Sequence, residues 1–168
     1  MVLLSAVMLL LSLIYPKCLS AQIGNEILYP FELKDTLGRV VKAEQFKGKA
    51  LVIDFWFTGC KGCVQVAEML HKSVMPVFAP DSNVVFLSVS VDVNFLQWKR
   101  SLRTGLYTND RQVNLFTAGR GTSDPLFEYY RFSGCPQMLV VGKKGNLVSR
   151  NVPAGADQLK ELINKARI

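Results

Sequence analysis

Two cysteines separated by two residues, Cys60 and Cys63, carry the most visible chemistry of the sequence. A Cys-x-x-Cys pair can form a structural disulfide, bind a metal ion or work as a redox-active dithiol. A third cysteine, Cys135, lies far along the chain, and one acidic residue, Asp54, interrupts the apolar run before the pair. Which chemistry applies depends on the elements that position these side chains.

The placement of the cysteine pair favours redox chemistry. The segment 51–57 is apolar except at one aspartate, a pattern typical of a strand buried on both faces. Apolar residues then recur at helical spacing, so Cys60 is expected where the strand gives way to a helix. The free N–H groups of a helix N-terminus favour a thiolate, and Lys61 adds positive charge beside it. Cys63, one turn further on, is expected to be more shielded and suited to resolving a mixed disulfide.

Strand and helix patterns alternate along the rest of the chain and predict an α/β fold. A leading hairpin is expected at 29–41, where alternating residues flank a turn signal. Pro76 is expected to end or kink the helix that follows the cysteines. The segment 104–122 is expected to be an inserted loop with a short strand near Leu115. The other predicted elements are strands at 84–91, 137–141 and 146–150, and helices at 95–102, 125–131 and 159–166.

Residues 1–21 are interpreted as a signal peptide, which leaves one domain at 22–168. Val2 to Tyr15 is almost entirely apolar, and the small residues up to Ala21 are typical of a cleavage region. No basic residue precedes the apolar run, although such signals usually begin with one. The run is shorter than the ~20 residues that span a bilayer. We therefore expect an exported, periplasmic protein, with membrane association only through an uncleaved signal.

Composition is that of a globular domain, with 168 residues, 49% hydrophobic and 20% charged. The formal net charge is +7, and the basic residues are scattered rather than gathered into a stripe with aromatic residues. That distribution argues against nucleic-acid binding. The net positive charge supports only a mild preference for acidic partners or membrane surfaces. Export also places the cysteines where disulfides persist, and the odd number left after cleavage leaves one thiol free.

The segment 51–63 resembles the active-site strand and loop of the thioredoxin superfamily. Together with the leading hairpin and the export signal, it is most similar to the exported TlpA/ResA-type thioredoxins. The resemblance covers about 22–168. It implies a thioredoxin-like fold, in which helices flank a central mixed β-sheet and an N-terminal β-hairpin forms an extension.

The resemblance also implies roles for individual residues. Asp54 occupies the position of a buried carboxylate that takes the proton of the second cysteine. Trp56 matches the family tryptophan beside the site, where it packs and borders the bound substrate. The segment 133–141 resembles the cis-proline segment of the family, which places Pro136 against the dithiol. Cys135, directly before that proline, would offer backbone groups to an extended substrate.

Several positions depart from the family pattern. Gly59 stands where the family usually has a tryptophan before the first cysteine. The two residues between the cysteines are Lys61 and Gly62, so the usual proline is missing. Val66 stands where ResA-type proteins carry a glutamate. Because the residues between the cysteines help to set the reduction potential, the direction of electron flow stays open.

Cys135 replaces the more usual threonine or valine, and three interpretations of it stay open. It could be a small apolar filler beside the site, or a third thiol that pairs transiently with Cys60 or a substrate. It could also complete a three-thiolate site for Cu(I) or zinc with the other two cysteines. His71, the only histidine, is expected to be an ordinary helix residue.

The sequence therefore predicts a thiol-disulfide oxidoreductase. Cys60 would attack a disulfide, Cys63 would resolve the mixed disulfide, and Asp54 would manage its proton. Pro136 and Cys135 would dock the substrate backbone. No organic cofactor is implied, because electrons would come from or go to a redox partner protein. The alternative function is a Cu(I) or zinc carrier that uses the three cysteines. A thiol peroxidase is disfavoured because the pattern Pro-x-x-x-Thr-x-x-Cys is missing around the pair.

Overall fold

The computed structural model describes residues 26–168, so the predicted signal peptide lies outside the described residues. Seven strands form one sheet in the order β2-β1-β5-β4-β3-β6-β7. The strands are β1 (Glu32–Asp35), β2 (Val40–Lys42), β3 (Ala50–Trp56), β4 (Val84–Ser90), β5 (Val113–Phe116), β6 (Gln137–Val141) and β7 (Leu147–Ser149). The helices are α1 (Lys61–Met69), α2 (Met75–Phe78), α3 (Phe95–Leu102), α4 (Pro125–Tyr129) and α5 (Ala156–Ala166).

The sheet is mixed, as the thioredoxin-like fold requires. Strand β4 runs parallel to both of its neighbours, β3 and β5. The pairs β1–β2, β1–β5, β3–β6 and β6–β7 are antiparallel. The predicted hairpin is present as β1 and β2, and β5 joins it to the rest of the sheet. The predicted fold class and the N-terminal hairpin extension are therefore confirmed.

The central strand β3 is buried along its whole length because the sheet has a hydrophobic core on each face. Alternate residues of β3, such as Ile53 and Phe55, pack with Leu87, Val89 and the aromatic residues of α4 and the turn after it. The intervening residues face α1, α5 and the helical segment between α1 and α2. The second core contains Ala50, Val52, Val66, Leu70, Val74, Leu159 and Ile163.

The helix after the cysteines is irregular near its proline, as predicted. Regular helix ends at Met69, a π-helical turn spans Leu70–Val74, and α2 then runs to Phe78. Pro76 has no N–H to donate to the preceding turn, which gives a physical reason for the change in hydrogen bonding. Helical structure nevertheless continues past the proline, because Val74, Met75 and Phe78 are buried against the sheet.

The segment 104–122 is more structured than its sequence pattern indicated. It contributes a strand, β5, that lies between β1 and β4 inside the sheet. The strand is short, and both of its partners come from earlier in the chain, so little local signal marks it. Within residues 26–168, no helix is both long and apolar enough to cross a membrane.

Candidate active site

Cys60 and Cys63 form a disulfide at the start of α1. Cys60 is the N-cap residue of the helix, and its Sγ accepts a hydrogen bond from the Cys63 N–H at 3.1 Å. Cys60 retains 6% exposure whereas Cys63 has none. The predicted order of shielding is therefore confirmed. The helix N-terminus directs its unpaired N–H groups towards the outer sulfur, an arrangement that stabilises a thiolate.

The loop that contains Pro136 packs directly against the segment between the cysteines. The Cys135–Pro136 peptide bond is cis, as the resemblance implied. A Cβ atom added to Gly62 would lie 3.2 Å from Cδ of Pro136. Glycine at this position thus permits a close approach of the dithiol loop to the proline. The structure brings Cys60, Cys63, Cys135 and Pro136, which lie far apart in the sequence, to one end of the sheet.

Asp54 lies in the middle of β3, between Ser88 of β4 and Met138 of β6. Its side chain is 1% exposed, and neither carboxyl oxygen has a hydrogen-bond partner within the described residues. Burial raises the pKa of Asp54 to about 8. The pKa of an ordinary thiol is about 8.5, so a proton could pass between such a thiol and this carboxylate with little change in free energy.

Trp56 is fully buried and supports the site through packing. Its Nε1 donates a hydrogen bond to Oγ of Ser88 at 2.7 Å. Its ring stacks on the ring of Tyr107, with centroids 4.6 Å apart. The hydroxyl of Tyr107 accepts the N–H of Gly59 at 2.8 Å. The tryptophan and the tyrosine together hold the residue that precedes Cys60.

Asp92, which was not among the site residues predicted from the sequence, also holds the loop that precedes Cys60. Its carboxylate accepts the backbone N–H of Thr58 at 2.9 Å and the Thr58 hydroxyl at 2.8 Å. The Ser90 hydroxyl donates to the same carboxylate at 2.9 Å. A signal was available, because Asp92 follows a buried strand, and the carboxyl ends of parallel strands meet at one sheet edge. Tyr107, in contrast, lies in a loop with no pattern that marks it.

Cys135 is half-buried and packs against the cluster that contains Trp56 and the two active-site cysteines. Burial is the main cause that raises the pKa of the Cys135 thiol to about 12, and the charges of Asp54 and Asp92 act in the same direction. This environment favours the protonated thiol, which is a poor nucleophile and a poor metal ligand. The interpretation of Cys135 as a small apolar residue therefore gains support over both transient disulfide pairing and metal binding.

The alternative function as a metal carrier gains no support from the structure. Among residues 26–168, no group of three or more His, Cys, Asp or Glu side chains is arranged to hold a metal ion. His71 lies in the π-helical turn, and its Nε2 is 2.9 Å from Oε1 of Gln112. This contact joins the helix to the loop before β5.

A family model described as thioredoxin-like matches residues 48–147, which include both cysteines and the cis-proline. The chain belongs to the thioredoxin-like family. No curated protein sequence matches the chain.

Solved structures agree with this membership. The chain is 24% identical to the thioredoxin domain of a thiol-disulfide oxidoreductase from Bacteroides vulgatus, with a TM-score of 0.70, covering 83% of this chain and 94% of that one. It is 25% identical to a thiol:disulfide interchange protein from Bacteroides sp., with a TM-score of 0.66 and coverage of 83% and 89%. A thiol-disulfide oxidoreductase from Bacteroides fragilis is 19% identical, with a TM-score of 0.70 and coverage of 82% and 99%.

These similarities confirm the thioredoxin-like family and fold predicted from the sequence. They also support the predicted enzyme class, a thiol-disulfide oxidoreductase. The thioredoxin-like chain described here thus carries the Cys-x-x-Cys disulfide, the cis-proline and the buried aspartate at the places that the resemblance implied.

Proposed function

We propose that the protein is an exported thiol-disulfide oxidoreductase that exchanges disulfides with protein substrates through Cys60 and Cys63. One observation carries the proposal. The two cysteines form a disulfide at the N-terminus of α1, directly against the loop that contains the cis-proline Pro136. Two of the structural neighbours are named a thiol-disulfide oxidoreductase and a thiol:disulfide interchange protein, and these names support the same activity.

The exchange can be written in the reducing direction. The Cys60 thiolate attacks one sulfur of a substrate disulfide, which forms a mixed disulfide and releases the other substrate sulfur as a thiolate. Cys63 then loses its proton and attacks Sγ of Cys60. The mixed disulfide breaks, the second substrate sulfur leaves as a thiolate, and the protein disulfide forms. Two electrons have moved from the protein to the substrate. The oxidising reaction is the same sequence in reverse.

Asp54 is proposed as the group that takes the proton from Cys63. The carboxyl group is buried and has no hydrogen-bond partner within the described residues, so its oxygens are free to accept a proton. A pKa of about 8 places it near the range in which a general base works best at neutral pH. After the substrate leaves, the same carboxyl group can return the proton when the disulfide is reduced again.

Substrate docking is proposed for the loop at Cys135 and Pro136. Cys135 lies just outside β6, which begins at Gln137, so its backbone groups lie outside the sheet ladder. An extended polypeptide could pair with them beside Cys60. Trp56 would contribute by fixing the floor of the site. The dithiol would be regenerated by a redox partner protein, through the same exchange chemistry.

Trapping of the mixed disulfide tests the proposed function. Replacement of Cys63 by Ala removes the resolving thiol, so we expect substrate proteins to stay attached to Cys60. They should be visible as high-mass species on non-reducing gels and disappear with reductant. The double variant Cys60→Ala/Cys63→Ala is the matched control and should trap nothing. If the single variant captures no more protein than the double variant, the proposed exchange with proteins is wrong.

A further inference from the structure

Four large apolar side chains lie exposed on the loops and helix beside the dithiol, and we call them the apolar strip. They are Phe57, Val93, Phe95 and Leu96, with exposures of 39%, 73%, 45% and 64%. Single exposed apolar residues are common on protein surfaces, but a group of neighbours at a reactive site indicates an interaction surface. None of these side chains takes part in the exchange chemistry described above.

The strip begins inside the active-site loop. Phe57 follows β3, and its carbonyl accepts the N–H of Cys60 at 3.2 Å. The hydrogen bond from the Thr58 N–H to Asp92 holds the loop after β3 beside the loop after β4, where Val93 lies. A molecule bound along these loops would therefore lie next to the outer sulfur of the dithiol.

The strip continues onto α3 and is held rigidly there. Phe95 packs against Trp98 and Phe116, with ring centroids 5.7 and 5.9 Å away. The Trp98 ring in turn stacks on Phe116 at 4.8 Å. The aromatic group fixes one edge of Phe95 and leaves the rest of its surface open. Such preorganised apolar surface lowers the entropic cost of binding a partner.

The exposed face of α3 is basic next to the strip. Leu96, Arg100 and Arg103 are spaced at i, i+4 and i+7, and all three side chains are exposed. Within residues 26–168, neither arginine forms an ion pair. None of the acidic groups on the adjoining elements pairs with either arginine: Asp35 pairs with Arg39, Asp92 binds the active-site loop, and Asp110 forms no ion pair within the described residues. The positive charge beside the strip is therefore uncompensated.

We propose that the apolar strip, Arg100 and Arg103 form a docking surface for polypeptide substrates that carry apolar and acidic residues near their disulfide. The proposal rests on the proposed exchange function. Arginine guanidinium groups bind carboxylates through two parallel hydrogen bonds, so acidic side chains complement this face. A polypeptide is favoured over a lipid surface because the strip begins in the dithiol loop, where its occupant must present a disulfide.

Matched disulfide peptides test the docking surface. Two peptides would share one disulfide and two apolar residues, with Glu flanks in one and Lys flanks in the other. We expect a higher kcat/KM for the acidic peptide, and a preference that weakens at high salt. Bis(2-hydroxyethyl) disulfide carries neither apolar side chains nor charges that the docking surface would recognise, so its turnover normalises each variant for the reactivity of the dithiol.

Variants assign the preference to this surface. Arg100→Glu and Arg103→Glu should each reduce the acidic-to-basic ratio of kcat/KM by about threefold or more, the size expected of an exposed ion pair. Lys144→Glu, at an exposed position in the turn between β6 and β7, is the charge control and should leave the ratio unchanged. Val93→Ser should raise KM for both peptides. Val77→Ser makes the same change at another exposed valine and should not.

Two results would overturn the docking surface. One is an equal kcat/KM for both peptides, or a preference that Arg100→Glu and Arg103→Glu leave intact. The other is binding of anionic phospholipid vesicles that depends on Val93 and Arg100 without any peptide preference, since the strip would then be a membrane-contacting surface. Failure of the proposed exchange function would give a different result. In that case Cys60→Ala would reduce both peptides and the small disulfide at the same rate as the native protein.

Discussion

At the scale of single residues, burial of Asp54 lowers stability at neutral pH while it favours the proposed role of Asp54 in proton transfer. In the unfolded chain its carboxyl group ionises near the ordinary value of 3.8, whereas in the folded protein burial raises the pKa to about 8. Between these values the folded state binds a proton that the unfolded state does not. The contribution of Asp54 to stability is therefore fully present below about pH 4 and is lost progressively as the pH rises towards 8. The same burial gives the carboxyl group a pKa suited to proton transfer with a thiol.

Replacement of Asp54 by Asn should stabilise the oxidised protein at neutral and higher pH. The amide of asparagine does not ionise, so folding no longer costs the free energy of burying a carboxylate. We expect little difference from the native protein near pH 4 and a gain in the free energy of unfolding on the order of 5 kcal/mol near pH 8. Denaturant unfolding at a series of pH values measures this difference.

The same variant should lose activity while it gains stability. Without the carboxylate, the resolving step should slow by about 10²-fold or more, as expected for a lost general base. Asp110→Asn, at an exposed loop position, is the control and should change neither quantity. If Asp54→Asn raises the free energy of unfolding by the same amount at every pH, the charge of Asp54 is not the cause.

At the scale of elements, the active-site loop is held by the end of the neighbouring strand rather than by its own sequence. Asp92 binds both the N–H and the hydroxyl of Thr58. Tyr107 adds a third contact at Gly59. The loop thus has a fixed position before any substrate binds. In the proposed exchange, preorganisation of this kind would allow Cys60 to attack without a prior rearrangement.

Replacement of Asp92 by Ala should release this loop. The variant leaves the Thr58 and Ser90 donors without their shared acceptor, which should cost about 3 kcal/mol of stability. The exchange rate should also fall, since Cys60 is no longer held in place. Asp92→Asn keeps one acceptor and one polar partner, so it should recover most of both. Unfolding curves and single-turnover exchange rates measure the two effects. Equal losses in the two variants would contradict a positioning role.

Element types were largely predictable, because the buried strands and the amphipathic helices have clear periodicity. Helix α3 was predicted at its observed bounds, and β3, β4 and β6 within a residue or two. Helix α4 ends at Tyr129 rather than near Arg131, because Arg131 adopts a positive φ of 53°, which no helix tolerates. The strand β5 had a weak signal, since its place in the sheet depends on partners from other parts of the chain.

At the scale of the whole molecule, the sheet and its two cores hold the fold, and the disulfide adds little. Cys60 and Cys63 are separated by three positions, so their bond closes a very small loop. A loop of that size removes little entropy from the unfolded chain, worth roughly 2 kcal/mol. The cores on both faces of β3 are independent of it.

The reduced protein should therefore stay folded. We expect the free energies of unfolding of the oxidised and reduced forms to differ by about 2 kcal/mol or less. Denaturant titrations with and without reductant measure the difference, and the double variant Cys60→Ala/Cys63→Ala should match the reduced form. A reduced protein that unfolds would indicate a structural disulfide, which would contradict a dithiol that cycles between two states.

The sequence by itself determined the family, the α/β class, the cysteine pair that forms the disulfide, and the positions of the cis-proline and the buried aspartate. These features are local, because periodicity and the spacing of cysteines and proline are properties of short segments. Only the tertiary structure decided that Asp92 and Tyr107 hold the dithiol loop, and that the loop containing the exposed Val93 lies beside it. These relations depend on contacts between remote segments, and the packing of parallel strand ends at one sheet edge creates them.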